Sequence, residues 1–153
     1  MCSANTPIRL IGAATALAFL IATPSLASAK FYQRTETKAC GESSCSLTLL
    51  FVGRNEQLIV KTASCTIQVD GPQGLREAML FADDSQQDHF YPEPINRFGD
   101  TQAFAFNTPT TFVAVGPKSP TSPSVGVGMY VVSNGDPITS LTCRIAGKLG
   151  RTE

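Results

Sequence analysis

Four cysteines constrain the fold of this chain more than any other feature. They are Cys40, Cys45, Cys65 and Cys143, and they remain after a leader is taken from a chain of 153 residues that holds five. The leader is read in residues 1–29. A short polar start carries Arg9, residues 10–22 (LIGAATALAFLIA) are apolar or small throughout, Thr23-Pro24 ends the run, and Ala27-Ser28-Ala29 supplies small residues for cleavage before Lys30. Thirteen such residues fall short of the ~20 that cross a bilayer, so the expectation is a secretory signal peptide and not an anchor. Cys2 leaves with it. An even count of cysteines in an exported chain points to two disulfides and a periplasmic or extracellular location.

Four cysteines allow three connectivities, and strand faces choose among them. Within residues 58–69 one alternating set is Ile59, Lys61, Ala63, Cys65, Ile67 and Val69, and the other (Val60, Thr62, Ser64, Thr66, Gln68) is mostly polar. Within residues 140–145, Leu141, Cys143 and Ile145 share a face while Thr142 and Arg144 point away. Both cysteines therefore face inward, and Cys65–Cys143 is the expected long bridge. Cys40 is left for Cys45, across a Gly41-Glu-Ser-Ser44 turn, as the staple of a hairpin end. Direct opposition there would set Lys38 against Leu47 and Glu36 against Leu49, so a bulge or an edge with its charges in solvent is required. The C-x4-C spacing is not the C-x-x-C of thiol oxidoreductases, and a single histidine argues against a zinc site.

The rest of the chain reads as short β segments between Gly, Pro, Asn and Asp. Eight strands are expected, over 31–38, 45–52, 58–69, 76–82, 101–106, 111–116, 127–133 and 139–146. Residues 74–82 contain good helix formers, but their neighbours favour a strand. Ser133-Asn-Gly-Asp-Pro137 reads as a tight hairpin turn, and three prolines make 117–124 an extended exposed loop. In Val125-Gly-Val-Gly-Met-Tyr130 the glycines share a face with Tyr130 and leave room for a bulky neighbour; the Gly-x-Gly is not a nucleotide loop. Phe104, Phe106 and Phe112 read as core. The fold class is all-β: a two-sheet antiparallel β-sandwich or jelly roll over residues 30–153, stapled by two disulfides.

Composition excludes some partners. Without Arg9 the 12 basic side chains become 11 against 12 acidic ones, a net charge of −1, which offers no electrostatic footprint for nucleic acid. No later apolar run approaches membrane length, so no span is expected after cleavage. The richest polar stretch runs from residue 83 to 93 and gathers Asp83, Asp84, Asp88, His89, Tyr91 and Glu93. It reads as a solvated loop; as a site it would be a ligand or calcium loop, although an EF-hand order is lacking. No G-x-S-x-G elbow accompanies His89. No cofactor or resident metal is expected. The function expected is a non-enzymatic binding or structural module at the cell envelope with a protein or glycan ligand. The alternatives are a small polysaccharide hydrolase or lyase, which needs His89, Tyr91 and one of Asp83, Asp84 or Asp88 to converge in a cleft, and a calcium-stabilised adhesion module.

Overall fold

A computed structural model describes residues 29–83 and 86–152. The signal peptide expected over 1–29 lies, apart from Ala29, outside the described residues. Among these residues the chain forms ten strands: β1 (Lys30–Ala39), β2 (Ser44–Gly53), β3 (Glu56–Asp70), β4 (Leu75–Ala82), β5 (Gln86–Phe90), β6 (Glu93–Phe98), β7 (Thr101–Pro109), β8 (Val113–Val115), β9 (Ser124–Ser133) and β10 (Ile138–Arg151). The eight expected strands become ten because β5 and β6 occupy the stretch read as a polar loop and turn. Both are edge strands. β6 is exposed at every position and carries Pro94, so it lacks the apolar alternation that betrays a half-buried strand. Residues 75–82 are a strand, with Ala78, Leu80 and Ala82 buried at alternate positions.

The strands form two antiparallel sheets. The first has the order β1-β10-β3-β7-β6, with β8 also against β3, and the second has the order β2-β9-β4-β5. The pairings are nested: β1 with β10, β2 with β9, β3 with β7 and β8, β4 with β5. A long antiparallel hairpin rolled so that its arms alternate between sheets produces this order, which is the jelly roll. Two local expectations change with it. Asn134-Gly135 does not close a hairpin, because β9 pairs with β2 and β4 while β10 pairs with β1 and β3; it is a corner between the sheets. The two-residue hairpin turn is instead Gly99-Asp100 between β6 and β7, where Gly99 supplies a φ of 60°.

The core fills the space between the sheets. Leu58, Val60, Ile67 and Val69 of β3 and Leu141 and Ile145 of β10 meet Val52 of β2, Leu80 of β4 and Val127, Met129 and Val131 of β9, all of them essentially sealed from solvent. β3 does not keep one parity along its length. Lys61 and Thr62 are consecutively exposed, opposite a register shift at Ala146/Gly147, and this bulge exchanges the faces. Ile59 and Lys61 therefore leave the buried set to which simple alternation assigns them, and Val60 joins it. On the outer side of β9 the rings of Phe51 and Phe81 lie over Gly126 and Gly128, filling the space that the glycines leave.

Both disulfides are formed as expected, but one does a different job. Cys65 and Cys143 are directly opposed on adjacent strands, with Cα atoms 4.1 Å apart. Cys40 directly follows β1 and Cys45 is the second residue of β2, with Cα atoms 6.0 Å apart, and these strands belong to different sheets. The bond is an inter-sheet clasp and not a hairpin staple. The clash anticipated between charges and core is met at the sheet edge: Lys38 is registered with Leu141 and Glu36 with Cys143, but on edge strand β1 Lys38 is exposed and Glu36 lines a surface hollow with Leu49 and Leu50. Glu36 pairs with Arg34 at 2.5 Å, and Lys38 Nζ donates to Ser46 O at 2.8 Å. Inward-pointing charges on an edge strand also discourage edge-to-edge aggregation. Two disulfides suit an oxidising, extracytoplasmic compartment. Among the described residues no helix is long and apolar enough to cross a membrane.

Candidate functional site

The pleat that buries Cys65 and Cys143 turns their neighbours to the outer face of the first sheet. Register then arranges those neighbours in ranks across the strands. One rank runs Thr35, Arg144, Ser64, Asn107; the next runs Thr37, Thr142, Thr66, Ala105, Glu93. The hydroxyls of Thr37 and Thr142 lie 3.0 Å apart. Small side chains at the centre leave a shallow open groove of about 730 Å³, whose wall on the β6 side is Tyr91 and Glu93. Tyr91 is 77% exposed. The Cys65–Cys143 bond lies directly beneath and ties the two central strands together, so the groove floor is covalently held in register.

The stretch read from the sequence as one candidate loop is divided among several places. Asp83 follows β4 with a φ of 47° and lines a smaller hollow of about 270 Å³ on the outer face of the second sheet, beside Ser46, Phe81 and Tyr130. Asp84 lies outside the described residues. Asp88 is half-buried, and its Oδ2 accepts the Thr110 hydroxyl at 2.5 Å, tying edge strand β5 to the β7–β8 link. His89 Nδ1 lies 3.3 Å from Glu77 Oε2 on the exposed face of the second sheet. Tyr91 and Glu93 belong to the groove on the first sheet. The cause is Phe90, which is buried and stacks on Phe106 with centroids 4.7 Å apart, and after which Tyr91-Pro92 carries the chain from one sheet to the other. His89 and Tyr91 thus sit on opposite sides of the sandwich. Among the described residues no three His, Cys, Asp or Glu side chains are placed to hold one metal ion.

Arg144, Ser64, Thr66, Thr142 and Asn107 were not candidates from the sequence. Their signal was present as the outward half of each alternating strand, but the expected Cys65–Cys143 bridge did not say that β3 and β10 pair side by side in one sheet, which the fold decides. No family model matches this chain, and no curated protein matches it.

Proposed function

We propose that this chain is an exported, non-enzymatic glycan-binding module that receives an extended saccharide along the outer face of its first sheet. The observation that carries this reading is the groove itself: ranks of short hydroxyls, one amide and two opposite charges on a rigid floor, beside an exposed phenol ring. A sugar chain presents hydroxyls in the plane of its rings and C–H groups above and below them. Thr, Ser, Asn, Arg and Glu side chains match the former, and the face of Tyr91 matches the latter. An open groove accepts a polymer segment, where an enclosed pocket would favour a small molecule. Hydrolysis of a glycosidic bond ordinarily takes two carboxylates flanking it. Among the described residues Glu93 is the single carboxylate lining the groove, which favours binding over turnover. The apolar leader and the paired cysteines favour a place at the cell envelope.

The test is titration calorimetry of the purified exported protein against a panel of plant and bacterial polysaccharide fragments. Binding in the micromolar to millimolar range, weakened about tenfold by Tyr91→Ala through the loss of one ring contact of order 1 kcal/mol, is expected. Absence of binding to every member of the panel, or binding indifferent to both Tyr91→Ala and Asn107→Ala, refutes the reading.

A further inference from the structure

We infer that the groove selects an acidic saccharide, with a carboxylate of the ligand held by Arg144. This rests on the glycan-binding reading and narrows it. Arg144 stands within the rank Thr35–Arg144–Ser64–Asn107, so its cross-strand neighbours are a threonine and a serine. It is exposed, and among the described residues no Asp or Glu lies within ion-pair distance of it; the pairs formed there are Arg34–Glu36 and His89–Glu77.

Two carboxylates come near in sequence or register, and neither reaches Arg144. Glu36 follows Thr35, the registered partner of Arg144, but strand alternation sends it to the opposite face, where Arg34 takes it. Glu93 shares the groove but stands on β6, three strands away, which at about 4.8 Å per step is ~14 Å. The guanidinium therefore keeps its planar donor fork free at one side of a groove whose floor is otherwise neutral and hydroxylic. That fork matches a carboxylate with two parallel N–H···O bonds, and the surrounding hydroxyls of Thr35, Ser64 and Thr142 can serve the sugar ring that bears it. Tyr91 and Glu93 then lie far enough along the groove to meet a different sugar unit. Among the described residues a single cation lining the groove, Arg144, on a chain whose 12 basic and 12 acidic side chains balance, suits a uronate, one charge per ring, better than a densely sulfated polymer, which needs clustered cations.

The experiment is calorimetric titration of the exported protein with a short oligogalacturonate, its methyl ester, a neutral oligosaccharide of equal length and a heparin fragment. The acid is expected to bind at least tenfold more tightly than its methyl ester. Arg144→Gln should abolish that preference, and Arg144→Lys, which keeps the charge but loses the fork, should restore part of it. The side chain is exposed, so unchanged melting temperatures will confirm that both variants fold. Equal affinity for acid and ester, or a preference that survives Arg144→Gln, overturns the inference. If Tyr91→Ala still weakens binding in that case, the glycan-binding groove stands while its selectivity falls. Arg144-dependent binding of heparin in preference to oligogalacturonate overturns the carboxylate assignment in favour of a sulfate. Failure of all four probes to bind overturns the inference, while the glycan-binding reading stands or falls on the wider polysaccharide panel.

Discussion

Replacing Cys65 and Cys143 together by alanine removes a cross-link between residues 78 positions apart, whereas replacing Cys40 and Cys45 removes one between residues 5 apart. If disulfides act by restricting the unfolded chain, the loop-closure term is about 4.5 kcal/mol for the long bridge and about 2 kcal/mol for the short one at 25 °C. Both cysteines of the long bridge are at most 4% exposed, so the alanines also leave lost contacts in a packed core, and the true cost of that double variant is at least the entropic figure. A domain with the usual 5–15 kcal/mol of stability becomes marginal after such a loss. Urea denaturation followed by far-ultraviolet circular dichroism measures both quantities. The long-bridge variant is expected to lose about 2.5 kcal/mol more than the short-bridge variant and to show the larger rise in denaturant slope, because its unfolded chain expands more. Equal losses in the two variants, or a larger loss from the Cys40–Cys45 pair, would refute the loop-entropy reasoning and shift the weight to the inter-sheet clasp.

Three further outcomes follow from the packing. The buried carboxylate of Asp136 accepts the backbone N–H of Gln73 at 2.5 Å and of Gly74 at 3.2 Å, joining the β3–β4 loop to the β9–β10 corner; Asp136→Ala should cost about 2–3 kcal/mol by urea titration, and Asp136→Asn less, because one acceptor survives. A Cβ at Gly128 would lie 2.8 Å from the Phe81 ring and collide with the Leu47 carbonyl, so Gly128→Val should destabilise by about 1–3 kcal/mol through overpacking, seen as a lower melting temperature; a neutral result would mean that the ring is not seated there. Phe90→Ala removes the ring that stacks on Phe106 and should cost about 3–5 kcal/mol. Because Tyr91 follows it, the same change should weaken saccharide binding in calorimetry at temperatures where the protein remains folded.

Much of the sandwich was legible because the pleat writes a period of two into each strand. That local rule placed Cys65 and Cys143 inward and so paired them. It also predicted a bulky neighbour over the glycines of β9, while residues 74–82 read as a strand from their neighbours in spite of their own helix formers, and Ala78, Leu80 and Ala82 then bear that out by burial at alternate positions. It failed where a strand has no buried face to announce itself, as in β6, where every residue is exposed. It failed again at Lys61-Thr62, where a bulge exchanges the faces without any change in composition. Asn134-Gly135 bends the chain as its dipeptide suggests, but a turn sequence does not say whether the next strand returns beside the last one or crosses to the other sheet.

The candidate site lies on the far side of the same divide. Its residues are the polar halves of β1, β3, β7 and β10 with Tyr91 and Glu93 at the rim, and each half alone is an ordinary solvent-facing edge of a strand. Side-chain alternation is a property of each segment's own backbone, so residue order alone settles the inward cysteines and those strands that have a buried face. Which strand lies beside which depends on burying one shared core across separations of tens of residues. Only that packing could set Arg144 beside Ser64, part Glu36 from Arg144 by a sheet's thickness, and send His89 and Tyr91 to opposite faces.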